Sequence, residues 1–357
     1  MNIIWKPQIE FFKNRYPELY KIFSLKHENE ITERDIHKRV LFKHIKNIIN
    51  PYNPTISKIL IENDLLRPIY PNNKKACIIL THDIDNIKHT FKWLLYYWFK
   101  DIINFSWNRW LKRFLWYIFP KYDLLKNFQK IINIEKKYNA KSTFFFMATE
   151  DSDKRYNISE LKNELKSIIK QWWEIWLHWG YDKSAFDLNT LIEEKNRLEK
   201  ILWKKIIWIR QHYLRFNEKI TFKIHKETGF KYDTTLWFAD QIWFRNLVCH
   251  PFNPIDLESD NIIEDYYEIP MIIMDWTLFW YMNLSFDKAW KEAKIILDQV
   301  IKYKWCVSIL WHNDQFDDSR HPWSLAFYEK MLVYLFKNNI WLTNWEEFIR
   351  FIKNKQN

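Results

Sequence analysis

Cys77-Ile78-Ile79-Leu80-Thr81-His82-Asp83-Ile84-Asp85 reads as a short apolar strand that runs into a cluster of ionisable side chains. An unbroken apolar run suits a strand covered on both faces, and in α/β folds built from such strands the chemistry sits at their carboxyl ends. His82, Asp83 and Asp85 therefore stand where a site would form. Taken alone, paired Asp residues after a strand more commonly cap a turn, so the assignment depends on what other strands deliver.

Outward from this stretch, strand-like runs recur at 142–148, 174–178, 206–212, 232–238, 267–275, 305–312 and 340–343. Amphipathic segments separate most of them. In 123–138 the residues Leu124, Leu125, Phe128, Ile131 and Ile132 share one helical face. Leu161, Leu165, Ile168 and Ile169 do so in 159–171, and Ala289, Ala293, Ile296, Leu297 and Val300 in 286–301. The alternation predicts an α/β fold over 76–357, a distorted (β/α) barrel of seven or eight parallel strands. Residues 1–75, broken at Pro51, Pro54, Pro68 and Pro71, read as a small helical N-terminal cap or accessory region.

The 357 residues suffice for one barrel-sized domain. Cys77, Cys249 and Cys306 form neither an even framework nor a CxxC pair, which excludes a disulfide scaffold and a structural zinc knuckle. The start, Met1-Asn2-Ile3-Ile4-Trp5-Lys6-Pro7, lacks the apolar core of a secretory signal, so a cytoplasmic location is expected, with the inner membrane face as an option. The net charge of +11 comes from scattered lysines and arginines, so nucleic acid is not an expected partner. In 86–121, basic and aromatic residues mix. Lys100, Asp101, Arg109, Lys112 and Arg113 interrupt that segment too often for a membrane-spanning helix. A lid, a packing insertion or an interfacial helix in peripheral membrane contact are the alternatives.

The chain has 2 Gly and 22 Trp. Ordinary usage would give roughly 25 glycines at this length, and several Trp residues sit where backbone geometry asks for glycine. Trp172-Trp173 follows a helical run, Trp305 precedes a strand, and Trp341 follows Asn338-Asn339 at a helix end. Most of these positions are therefore expected to be glycine in the native chain, through UGA codons recoded as glycine.

The other strand ends supply partners for Asp83 and Asp85. The run 174–178 ends in His178, 206–212 contains Arg210-Gln211-His212-Tyr213, 232–238 contains Asp233, 267–275 ends in Asp275, and 305–312 ends in His312. In a parallel barrel these ends share one rim, so His82, Asp83, Asp85, His178, Arg210, His212, Asp275 and His312 are expected around one mouth. Asp oxygens with two His nitrogens and open positions suit a catalytic Zn²⁺ or similar divalent ion. A further carboxylate can act as general base and a separate His as general acid. This chemistry points to a hydrolase.

Thr81-His82-Asp83-Ile84-Asp85, Glu174-Ile175-Trp176-Leu177-His178, Arg210-Gln211-His212-Tyr213, Asp233 and Leu310-Trp311-His312 resemble, in order, the five motifs of the polysaccharide deacetylases. This is the NodB-homology group, carbohydrate esterase family 4, in its HDxD branch, and the resemblance covers about 76–345. It implies Asp83 as general base, held by Arg210, and Asp85 and His178 as ligands of a divalent metal, most readily Zn²⁺. It implies His312 as general acid, with Asp233 or Asp275 orienting it. The usual second His four residues after His178 is replaced by Asp182, so the third ligand is Asp182 or His212, of which His212 is preferred. The resemblance also implies Gly at 176, 179, 237, 243 and 305; a true indole at 179 would crowd the metal. Arg245 and Tyr213 are candidates for substrate contact.

The expected function is removal of an N-acetyl group from an amino sugar of a cell-surface polysaccharide or its precursor. The alternatives are an amidase or esterase of the same superfamily with another substrate, and a non-catalytic glycan-binding or assembly protein.

Overall fold

A computed structural model describes all residues except 1, 2, 5, 48, 49, 51, 104, 106, 120–124, 153, 181–185, 318, 319 and 355–357. The apolar runs become strands: β1 (Cys77–Ile84), β2 (Thr143–Met147), β3 (Glu174–Trp179), β4 (Trp208–Gln211), β5 (Tyr232–Asp233), β6 (Ile255–Asp256), β7 (Asn261–Ile262), β8 (Tyr267–Glu268), β9 (Met271–Met274), β10 (Cys306–Leu310) and β11 (Trp341–Thr343). β6 and β7 form a separate antiparallel pair. The rest make one parallel sheet in the order β8-β5-β4-β3-β2-β1-β10-β9. Every residue of β1, β2, β3 and β10 is buried, as unbroken apolar runs require of strands covered on both faces.

The two edge strands belong to one extended segment. Tyr267–Glu268 pairs with β5, while Met271–Met274 pairs with β10. Ile269 N donates to the Asp233 carbonyl at 2.9 Å, and Ser308 N donates to the Pro270 carbonyl at 2.8 Å. The segment therefore closes the sheet into the distorted barrel. β11 wedges beside the first half of β1, pairing Cys77–Ile79, after which β1 turns to β2 from Thr81 onward.

The connecting helices lay their apolar stripes on the sheet. Phe128–Lys136 buries Phe128, Ile131, Ile132 and Ile134. Lys162–Lys170 buries Leu165 and Ile168, and Phe286–Tyr303 buries Ala289, Ala293, Ile296, Leu297 and Val300. The segment 86–121 forms two helices, Phe91–Ile103 and Trp107–Ile118, packed on each other. No helix among the described residues is long and apolar enough to cross a membrane.

Residues 1–75 fold as short helices whose Ile9, Phe12, Phe23, Ile56 and Leu60 join the same hydrophobic core as the strands. A buried ion pair ties the region down. Glu28, fully buried, takes Arg245 Nη2 at 2.5 Å and Nε at 3.0 Å, and Glu218 lies 3.8 Å from the same guanidinium. Arg245→Ala would leave the buried Glu28 without its cation, while Glu218 keeps Arg34 at 3.2 Å, so a loss of about 3–5 kcal/mol is expected. Denaturant unfolding of the full chain checks this, and an unchanged midpoint would contradict it. Glu28→Gln with Arg245→Met should recover much of the loss.

Candidate active site and metal centre

Because all barrel strands run parallel, their carboxyl ends form one rim. Alternation along β1 divides its polar residues between two faces. Asp83 and Asp85, two apart, face the mouth. His82 faces the outer helices, bridging the Trp311 carbonyl at 2.8 Å and Glu135 at 2.9 Å with no exposure. His82 is thus a structural residue, contrary to its expected place at the mouth.

Asp83 is fixed by Arg210 from β4. The Nη1 atom lies 2.7 Å from Asp83 Oδ1, both side chains are buried, and the guanidinium stacks on Phe145 at 4.5 Å. Thr234 takes the remaining donors, through its carbonyl and its Oγ1, each at 3.3 Å. A charge-assisted bond of this kind orients a carboxylate.

Beside it, Asp85, His178 and His212 bring three ligand atoms within 4.8 Å of one another. His178 Nδ1 donates to the Arg210 carbonyl at 3.0 Å, which leaves Nε2 as the lone-pair atom. That Nε2 and Asp85 Oδ1 are both buried without a hydrogen-bond partner, and they face each other at 3.3 Å. Two acceptors at this distance require a proton or a cation between them. His212 Nε2 stands 3.6 Å from the other Asp85 oxygen. Ligand atoms bound at about 2.0–2.1 Å around a tetrahedral ion lie roughly 3.4 Å apart, so one carboxylate and two imidazoles at these spacings fit a Zn²⁺-type ion. Burial by itself would raise the Asp85 carboxyl. The neighbouring imidazoles, His212 first and then His178 and His312, outweigh it and hold the group well below the usual carboxylate range.

His312 follows β10, the strand paired with β1. Its Nδ1 lies 2.7 Å from Asp275 Oδ1, and its backbone N–H donates to Asp275 Oδ2 at 2.5 Å. Burial works against the imidazolium, but Asp275 above all, then Asp85 and Asp83, raise its pKa to about 10. Asp314, two residues on, is pushed up to about 6 by burial and by Asp275 and Asp85 against the pull of His312 and Arg320. Sequence inspection missed Asp314, although it stands two residues beyond a residue already singled out.

Asp83, Asp85, His178, His212, His312 and Asp314 line a cleft of about 590 Å³ that also includes Ile36, His37 and Arg39 from the N-terminal region and Tyr213, Tyr281 and Arg320. Asp233, offered as an orienter of His312, lies elsewhere. It bonds His225 Nδ1 at 2.9 Å and Tyr266 at 3.1 Å and takes the N–H groups of Thr234 and Thr235. Asp275 makes the contact to His312 instead. Arg245 is committed to Glu28 and does not line the cleft, whereas Tyr213 does. Asp182 falls outside the described residues. Trp179 does not crowd the ligands, because alternation turns it away from His178 and onto His225, at 5.4 Å between rings.

No protein-family model matches the sequence, and no curated protein matches it. Solved structures do. A protein from Mycobacterium smegmatis assigned as a polysaccharide deacetylase matches with a TM-score of 0.53 at 17% identity, over 81% of this chain and 94% of its own. The Puue allantoinase matches with a TM-score of 0.52 at 14% identity, over 80% of this chain and 93% of its own. At such identities the likeness concerns the fold: this chain has the barrel found in a polysaccharide deacetylase and in an allantoinase.

Proposed function

We propose that the chain is a metal-dependent hydrolase of the polysaccharide deacetylase type, removing an N-acetyl group from an amino sugar of a cell-surface glycan or its precursor. The observation that carries this is the orphaned pair Asp85 Oδ1 and His178 Nε2, flanked on one side by Asp83 with Arg210 and on the other by His312 with Asp275. A ligand set, a fixed carboxylate and a charged imidazole around one cleft are the parts that amide hydrolysis needs.

Asp85, His178 and His212 would hold the ion, which as a Lewis acid supplies polarisation of the acetyl carbonyl and activation of water. Asp83 takes the proton of the attacking water, with Arg210 keeping its carboxylate aimed. His312, charged at neutral pH, protonates the departing sugar nitrogen, and Asp275 holds the imidazole in the required orientation. Tyr213 and Tyr281 offer aromatic walls for the sugar ring, alongside polar groups that fix its orientation.

Asp83→Asn and His312→Ala should each lower acetate release from N-acetylated glycan oligomers at least about 10²-fold, with circular dichroism unchanged. Asp83→Asn keeps an acceptor for Arg210, so a folded but inactive protein is the expected outcome. Turnover equal to wild type in either variant would defeat the assignment, and release only from simple amides would move it to another substrate class.

The pH profile tests the second acid. The donor is the imidazolium, present below its pKa, so the raised value near 10 puts the alkaline fall of kcat/KM high. Asp275→Asn removes the largest cause of that elevation. The alkaline limb should then move to lower pH while the acid limb stays, and an unmoved alkaline limb would contradict the pairing.

A further inference from the structure

We propose that the helical hairpin formed by Phe91–Ile103 and Trp107–Ile118 docks on an anionic lipid bilayer and brings the mouth of the site to the membrane surface. An amphipathic helix in a globular protein normally turns its apolar stripe to the core and its charges to water. This hairpin leaves apolar faces open to the outside. Tyr96, Phe99 and Ile103 fall at helical spacing on one face, as do Leu111, Phe114, Leu115 and Ile118 on the other helix, and all are exposed. Phe99 is 65% exposed, Ile103 73% and Phe105 in the connection 81%, whereas Asp101 is buried at 3%.

Charge decides what covers such a face. Between 88 and 121 the sequence has seven Lys or Arg and one acid, Asp101. A segment that joins exposed apolar and aromatic side chains to this excess of cations, of which Lys88, Lys92 and Lys100 are exposed, is suited to the boundary between acyl chains and anionic headgroups.

The hairpin stands on the rim of the cleft. Asn313, next to His312, donates through Nδ2 to the Asn86 carbonyl at 2.7 Å and to the Leu125 carbonyl at 2.9 Å, so one residue pins both feet. Asn127 donates back to the Asn313 carbonyl at 2.6 Å. Docking therefore presents the mouth to glycan held at a membrane surface. This last step rests on the deacetylase assignment, while docking itself does not.

The test uses the full chain and vesicles of phosphatidylglycerol in phosphatidylcholine. Sedimented protein should rise with the phosphatidylglycerol fraction and fall with salt. Phe99→Ser with Ile103→Gln and Leu115→Gln should weaken association roughly tenfold or more, since affinity follows buried apolar area. The same variant should release acetate from a soluble N-acetylated oligosaccharide within about twofold of wild type, because these side chains lie outside the cleft. Wild type that stays in solution at every lipid composition overturns docking. So does a dimer on gel filtration that the triple variant dissolves, which would assign the face to a second copy. Vesicle binding without any acetate release would retain docking and remove the deacetylase assignment.

A separate observation on the backbone carries a second inference: the native chain has glycine at positions 172, 203 and 243. Trp172, Trp203 and Trp243 have φ of 71°, 52° and 99°, the left-handed side that bulky residues avoid and glycine adopts freely. Trp172 follows the helix Lys162–Lys170 and Trp203 caps Leu188–Leu202, the helix-end positions glycine most often fills. At the ends before Trp305 and Trp341 the left-handed residues are Lys304 and Asn339, so there the backbone asks nothing of the Trp. Buried indole N–H groups without a partner at Trp179, Trp208, Trp237, Trp243, Trp305 and Trp311 extend the inference to the core. Among the described residues, Trp107 is the one exposed tryptophan of the hairpin, and none of the side chains named above for docking is a tryptophan. Peptide mass mapping of the protein purified from its own cells should find glycine masses at 172, 203 and 243. Tryptophan masses there overturn the inference.

Discussion

The segment Tyr267–Met274 is hydrogen-bonded to both edges of the sheet, and the site depends on that double attachment. Its first half adds to β5 and its second to β10, with Pro270 at the crossing, where the chain leaves one ladder for the other and a missing N–H costs least. Asp275 is the next residue after β9. Closure of the barrel therefore fixes the carboxylate that holds His312, while the pairing of β10 with β1 sets His312 near Asp83 and Asp85. A slip of one residue in this segment would turn Asp275 to the other face.

Electrostatics explains why the mouth has the composition it has. Asp83, Asp85, Asp275 and Asp314 converge in a largely desolvated cleft, where like charges raise one another's energy steeply. Three devices offset this. Arg210 neutralises Asp83 directly; His312 is driven to its charged form beside Asp275; and the orphaned face of Asp85 and His178 leaves room for a cation. Asp314, with no such partner closer than Arg320 at 3.7 Å, is the carboxyl pushed up to about 6. The Arg210 backbone serves the same arrangement, since its carbonyl fixes the tautomer of His178.

Much of this was legible in the sequence because it depends on local periodicity. Fully apolar runs gave the strands, and the i, i+3, i+4 spacing gave the helices that bury Ile131, Leu165 and Ile296. The parallel order then implied one rim, which is why Asp83, Asp85, His178, Arg210, His212, Asp275 and His312 could be grouped. What depends on the side of a strand or on distant pairing was not legible. His82 precedes Asp83 and faces the other way; Asp233 and Asp275 both lie in strand-like runs, and only the closing segment decides which reaches His312. Arg245 looked like a rim residue because its partner, Glu28, lies 217 positions away.

The same limit hid the part played by residues 1–75, which carry no chemical motif. The turn after His212 contains two consecutive non-glycine residues in the left-handed region, Tyr213 at φ 57° and Leu214 at 53°. Such residues cost on the order of 1–3 kcal/mol each and persist where neighbours over-determine them. Here the neighbours come from the N-terminal region. Arg39, itself clamped by Asp35, donates to the Tyr213 carbonyl at 2.6 Å, and the His37 ring stacks on Tyr213 at 4.4 Å. The turn so braced carries His212 toward Asp85. A segment without catalytic residues thus holds a candidate metal ligand in place, and through Ile36, His37 and Arg39 it also forms one wall of the cleft, so substrate fit and ligand geometry are set by the same stretch of chain.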